Sequence, residues 1–224
     1  GRADLVAKDP LAVRLHRSVR VPPPEPAAEE SPPDHGDAPL LLHVCCGPCA
    51  TYSVRRLREL RWHVEGYWCN PNIHPFSEHE RRREHVAGYA ERVGLPMHWD
   101  PEYRLVEFLR AIAGHERYGE RCALCYRMRL ERTAAEAAAR GFQAITTTLL
   151  ISPYQDQAAL CRIGEEVAAA HGVAFFYENL RRGYAESRRL AREADLYMQR
   201  YCGCLFSEWE ALDRDAPTGR RPSG

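Results

Sequence analysis

The sequence predicts a single α/β domain, doubly wound around a mostly parallel sheet, with a cysteine-lined site at the carboxyl edge of its strands. Three observations predict it. Short β-rich runs alternate with longer helical patterns from residue 40 onward, the pattern of right-handed βαβ units and a Rossmann-like sheet covered on both faces. The helical patterns are punctuated by proline at their starts and glycine at their ends. Three separate thiol-rich motifs fall where strands stop or helices begin. At 224 residues and 45% hydrophobic, the chain can bury one proper core.

The elements follow in order. "LLLHV" (40–44) is a short apolar run suited to a buried strand, followed by an arginine-studded helix through "RRLREL". "HVEGYW" (63–68) is a second strand, and "SEHERRREHVAGYAERVG" (77–94) is a helix stopped by Gly94. "PMHW" (96–99) is a short third strand. "YRLVEFLRAIAG" (103–114) and "CALCYRMRLERTAAEAAARG" (122–141) are helical, the second ended by Gly141. "FQAITTTLLIS" (142–152) is rich in β-branched residues and reads as a strand. "PYQDQAALCRIGEEVAAAHG" (153–172) is a helix with Pro153 at its first position. "VAFFYE" (173–178) is a fifth strand, and "YAESRRLAREADLYM" (184–198) a last helix before "YCGC". Residues 1–37, with "VPPPEPAAEESPPDHGD", and 213–224 read as disordered tails on either side of an α/β domain at 38–212.

Charge and composition exclude several chemistries. Lysine plus arginine equals aspartate plus glutamate at 31 each, so no global field draws in nucleic acid, and any such binding depends on local basic faces. The only lysine is Lys8, in the N-terminal tail, which excludes Schiff-base catalysis and a P-loop lysine in the folded part. No apolar run is long enough to span a bilayer and no basic segment precedes a signal-like one, so a soluble, cytoplasmic protein is expected. In that reducing compartment, nine cysteines point to metal ligands or redox groups rather than to a disulfide framework.

The thiols are not scattered. Cys45 and Cys46 end the first strand, with Gly47 to turn the chain, Pro48 to open the helix and Cys49 just beyond. The dipole of that helix favours thiolate. Cys122 and Cys125 lie three apart at a helix start, hence on one face. Cys202 and Cys204 flank Gly203, which lets the backbone fold tightly. Cys161, in an alanine-rich helix, reads as core, and Cys69 as packing near the same strand edge. Seven clustered thiols exceed the four that a structural zinc needs, which favours an iron–sulfur centre. His74 in "CNPNIHP" reads as part of a surface turn. Ser152, Tyr154 and Gln155 leave the fourth strand near the same edge. Arg81 to Arg83, together with Arg181, Arg182, Arg188, Arg189 and Arg192, are either phosphate contacts or solvated helix faces.

Taken together, "LLHVCCGPC", "NPNIHP…E", "CALCYRMRL", "TTLLISPYQ" and "YCGC", in that order over residues 40–208, resemble the epoxyqueuosine reductases of the QueH type. The resemblance implies reduction of the epoxide of epoxyqueuosine, at the wobble position of a tRNA anticodon, to the alkene of queuosine. It implies a 4Fe-4S cluster on Cys45, Cys46, Cys122 and Cys125, a redox-active disulfide pair of Cys202 and Cys204, and an external electron donor. An adjacent mononuclear iron is a further implied cofactor, with Cys49 at the position that would complete its site with Cys202 and Cys204. The chain is too short to suggest a separate cobalamin domain. The chemistry of the residues agrees with two routes, a dithiol that transfers two electrons and an iron that acts as Lewis acid on the epoxide oxygen, and the sequence leaves both open.

Two rivals are weaker. An ATP-pyrophosphatase-type tRNA-modifying enzyme would place a Gly/Ser-rich phosphate loop after the first strand, where this chain has "CCGPC". A zinc-stapled RNA-binding module would leave three thiols unexplained.

Overall fold

A computed structural model describes residues 35–213. The expectations for the tails lie outside the described residues for 1–34 and 214–224. Five parallel strands form the sheet in the order β3-β2-β1-β4-β5. The strands are β1 (Pro39–His43), β2 (His63–Trp68), β3 (Met97–Trp99), β4 (Ala144–Thr147) and β5 (Ala174–Phe175). Because β2 and β4 both pair with β1, chain order reverses there. The crevice beyond the carboxyl end of β1 is therefore the topological switch point where ligands bind in open α/β sheets.

Burial on both faces explains the apolar run of β1. Leu40 and Leu42 face a core built with Ala50, Val54 and Leu57 of helix α1 (Gly47–Glu59). Val86, Tyr89 and Ala90 of α2 (Phe76–Val93) complete this core, together with Ala191 of α6 (Tyr184–Glu193). Leu41, one residue out of phase, joins the opposite core. There it meets Tyr126, Leu130, Ala134 and Ala137 of α4 (Glu120–Arg140), and Leu160, Ile163 and Val167 of α5 (Gln157–Ala170). Two shorter helices, α3 (Leu105–Ile112) and α7 (Leu205–Leu212), complete the fold. Gly94 and Gly141 end α2 and α4 in the left-handed conformation, as their positions in the sequence predict.

The structure differs from the sequence reading at several elements. The run 142–152 is a strand only over β4, because Thr147 Oγ1 accepts from Leu149 N at 3.1 Å and closes the chain into a 3-10 turn, Thr148–Ile151. Helix α5 begins after Asp156, whose carboxylate accepts from Ala159 N at 3.0 Å, so Pro153 lies in the preceding turn. Helix α6 stops at Glu193, short of the predicted Met198, and α7 follows "YCGC" in a segment where no helix is expected from the sequence. His35 already packs on the fold, its ring stacked on Trp62 with centroids 4.0 Å apart.

The turn into α6 permits no side chain at Gly183, where an added Cβ would lie 2.2 Å from the Tyr52 ring. Gly183→Ala is expected to destabilise the fold by about 1–3 kcal/mol, read as a lowered midpoint in thermal or denaturant unfolding. An unchanged midpoint would show that Tyr52 moves aside freely.

Candidate active site

Three helix N-termini deliver the clustered thiols. Cys46 is the N-cap of α1 and Cys49 lies in its first turn; Cys122 and Cys125 lie at the start of α4; Cys204 is the N-cap of α7. Unpaired N–H groups and aligned peptide dipoles at each start favour negative charge on these sulfurs. These ends suit thiolates once a metal has displaced the protons, whereas burial keeps the free thiols of Cys46, Cys122 and Cys125 protonated.

Beyond β1, the Cys45, Cys46 and Cys49 sulfurs all lie within 4.8 Å of one another, a spacing that can hold a metal ion. Thr148, in the turn after β4, fixes Cys45 twice. Its hydroxyl oxygen accepts from Cys45 N at 3.0 Å and lies 3.2 Å from Cys45 Sγ, to which it donates. Gln199 Nε2 donates to Cys46 Sγ at 2.8 Å, a contact across 153 positions that no local pattern signals. Hydrogen bonds from Cys46 and Cys49 hold Cys45 well below the usual thiol range, with further help from the Arg129 guanidinium and Thr148. Burial pushes Cys46 up to about 12, and Cys49 is raised mainly by its hydrogen bond with Cys45. Cys45 is therefore the most readily ionised of the trio, and binding a cation there must release the protons that the sulfurs still carry.

Cys122, Cys125, Cys202 and Cys204 line one cavity with Asn72, Phe108, Arg121, Tyr126, Arg129, Leu149 and Gln155. Burial pushes Cys122 up to about 12 and Cys125 up to about 11. Cys125 feels the charges of both Cys45 and Cys204.

That loop is clamped from two sides. Gly203, at φ 139°, takes a conformation that L side chains rarely adopt, and its carbonyl accepts from His74 N at 2.8 Å. Arg82 Nη1 and Nη2 donate to the carbonyls of Cys202 (3.0 Å) and Tyr201 (3.2 Å), while its ion pair to Glu78 spans 2.7 Å. Arg82 is 2% exposed, so of Arg81 to Arg83 it is not available as a phosphate contact. Arg81 and Arg83 lie over the rings of Tyr197 and Trp99.

Cys202 is exposed and Cys204 is buried. Their mutual hydrogen bond pulls Cys202 down to about 7 and pushes Cys204 up. Ser207 steadies both, its N–H donating to Cys204 Sγ at 3.4 Å and its hydroxyl lying 3.0 Å from Cys202 Sγ. All nine cysteines are free thiols, so the disulfide expected of Cys202 and Cys204 is not formed in this structure.

Other sequence expectations are redirected. His74 is buried rather than part of a surface turn, both ring nitrogens without a partner among the described residues, beside the Phe108 ring. Cys69 packs in the core as expected, its thiol pushed up by burial, and its carbonyl lies 3.2 Å from His43 Nε2. Burial lowers His43 to about 3, so it is neutral. Cys161 is only half-buried on α5 rather than in the core. Gln155 reaches the cavity wall and accepts from Tyr126 Oη at 2.7 Å, whereas Tyr154 is exposed. Arg121, just before "CALCYRMRL", and Arg129, within it but not read as a site residue, are buried in the cavity wall.

No helix among the described residues is long and apolar enough to cross a membrane. A family profile described as "Epoxyqueuosine reductase QueH" matches residues 40–210. A protein of that name from Dehalococcoides mccartyi is 41% identical over 176 residues, covering 78% of this chain and 95% of the relative. Another from Thermotoga maritima is 37% identical over 190 residues, covering 81% and 96%. Among solved structures, a predicted subunit of tRNA methyltransferase from Methanocaldococcus jannaschii aligns at a TM-score of 0.48 and 15% identity, over 70% of this chain and 75% of that one, too distant a likeness to bear on function. The match spans nearly all of the described fold and every thiol motif, and the chain belongs to the epoxyqueuosine reductase QueH family.

Proposed function

We propose that this epoxyqueuosine reductase acts on epoxyqueuosine carried by tRNA, in the cytoplasm, with a 4Fe-4S cluster held by Cys45, Cys46, Cys122 and Cys125. The observation that carries the reading is the placement of the thiols: Cys122 and Cys125 line one cavity with Cys202 and Cys204, and Cys45, Cys46 and Cys49 lie within 4.8 Å of one another just beyond β1. The donor set fits the group. Four soft sulfurs come as two pairs, and the buried Arg129 guanidinium, which pairs with no carboxylate among the described residues, lines the cavity of Cys122 and Cys125. Bound there, the cluster would supply single electrons and an iron able to polarise the epoxide oxygen.

The reaction needs two electrons and two protons: both C–O bonds of the epoxide break, an alkene forms, and the oxygen leaves as water. A dithiol balances this by itself, since oxidation of Cys202 and Cys204 to a disulfide releases two electrons and two protons. An external donor must then reduce the pair, and Cys202, exposed and the more acidic of the two, is the sulfur it can reach. Asn72 Oδ1 is buried without a partner among the described residues, and Asn72 lines the cavity, ready to accept from a substrate hydroxyl. Asn72→Ala is expected to lower kcat/KM about tenfold with iron content unchanged, the worth of one hydrogen bond of this kind; an unchanged kcat/KM removes Asn72 from substrate binding.

The test is anaerobic turnover of epoxyqueuosine-containing tRNA followed by nucleoside mass spectrometry, with loss of one oxygen atom expected. Unaltered nucleoside from iron-replete protein with a competent reductant would overturn the reading. If tRNA is the substrate, binding falls steeply with salt, and the free nucleoside is reduced far more slowly than the tRNA-borne one. Equal rates on the two would remove tRNA from recognition. Arg181 and Arg188 are the proposed phosphate contacts.

A further inference from the structure

Three arginines are buried among the described residues, each 2% exposed: Arg82, Arg121 and Arg129. Two carry a carboxylate. Arg82 pairs with Glu78, and Arg121 with Glu210. Arg129 pairs with none among the described residues. Its one hydrogen-bonded group is Nη2, which donates to the neutral Asn70 Oδ1 at 2.7 Å, and its Nε has no partner. Asn70 is in turn held by its own amide, which donates to the Val44 carbonyl at 2.9 Å. The guanidinium is therefore positioned deliberately and left electrically open.

A buried cation without a counter-charge costs several kcal/mol, and arginine does not escape that cost by losing its proton. Arg129 lines the same cavity as Cys122 and Cys125, one of the two thiol pairs proposed above as cluster ligands, and its charge also reaches Cys45 of the other pair. Four thiolates around a four-iron core carry a net negative charge, and reduction adds another.

We infer that Arg129 is the built-in counter-cation of the thiolate metal centre, a positioning residue that favours the loaded protein and its reduced state. The inference rests on the cluster reading of the previous section. It requires Arg129 to matter more when the metal is bound than when it is absent, and to act through charge rather than shape.

The experiment compares parent, Arg129→Met and Arg129→Lys proteins, each as apoprotein and after anaerobic reconstitution with iron and sulfide. Iron content, melting temperature and midpoint potential are read for each. In Arg129→Met, the gain in melting temperature on reconstitution is expected to shrink, iron to be lost faster to a chelator, and the potential to become more negative. Arg129→Lys, which keeps the charge, should recover most of the potential. Equal losses of melting temperature in the apo and loaded forms, with an unshifted potential, would reduce Arg129 to a packing residue and overturn the inference. Should Arg129→Met fail to fold, the Arg129→Lys and Arg129→Gln pair gives the same comparison, a potential near the parent for lysine and below it for glutamine. A parent protein that binds no iron on reconstitution would instead overturn the cluster reading, and this inference with it.

Discussion

Replacing Cys122 by serine is expected to strip most of the iron from the protein and to lower epoxide reduction by more than about a hundredfold, beyond what loss of a residue merely supporting a ligand costs. The reason lies in where the thiol sits. Cys122 opens α4 together with Cys125, and both sulfurs look into the cavity that Cys202 and Cys204 share. Burial pushes the free Cys122 thiol up to about 12, so without a metal it is protonated and electrically silent. A metal ion must remove that proton to bind, and a serine hydroxyl in its place is both harder and far less acidic. The fold should survive, because the helix is held by Leu130, Ala134 and Ala137, well away from the substitution. Iron and sulfide analysis with the visible spectrum checks the outcome. Full retention of both in Cys122→Ser would remove Cys122 from the ligand set and leave the Cys45, Cys46 and Cys49 group as the nucleus of a different site.

Much of this site is legible in the sequence, because the residues that make it are local. "HVEGYW" forms β2 over its whole length, and Gly94 and Gly141 end their helices, since strand alternation and a left-handed cap are decided within a few residues. Cys45 to Cys49 and Cys122 to Cys125 lie at helix starts for the same reason. What the sequence hides depends on contacts across the fold. Thr147 folds its own strand into a turn because its hydroxyl captures Leu149 N, although the β-branched run argues for continued strand. Arg82 looks like one of three surface arginines on a charged helix, yet 120 positions separate it from the carbonyl of Cys202 that it holds. Gln199 reaches Cys46 and Thr148 reaches Cys45 over similar distances along the chain. Helix α7 has only eight residues and no buried one, so periodicity carries no signal, and its start is marked only by Cys204 acting as a cap.

That cap gives Cys202 and Cys204 the second large effect. Cys202→Ser and Cys204→Ser are each expected to keep the iron and absorbance of a four-iron cluster while turnover falls to background. Two sulfurs separated by one glycine form a poor chelate beside four better-placed cysteines but a good pair for exchanging two electrons. The structure gives the two thiols unequal parts. Cys204 is buried, raised by its neighbour and fastened to α7 through Ser207 N, whereas Cys202 is exposed and sits at about 7. In the apoprotein, alkylation should therefore reach Cys202 first, its rate rising as the pH passes through about 7, because the thiolate is the nucleophile and its fraction grows until the group is fully ionised. Peptide mass spectrometry after brief alkylation reads this directly, and a label found first on Cys204 would reverse the assignment. Activity alone does not separate a dithiol from a second iron shared with Cys49, since either role fails on substitution. Iron counting does: a redox pair predicts no change per chain in the two serine variants, whereas a mononuclear site predicts the loss of about one equivalent. The sulfur of Cys49 lies in the Cys45 and Cys46 group, so Cys49→Ser completes the comparison. Loss of the same single equivalent in all three variants would join Cys49 to the "YCGC" thiols around one iron, and loss of cluster absorbance in Cys49→Ser alone would assign it to the cluster.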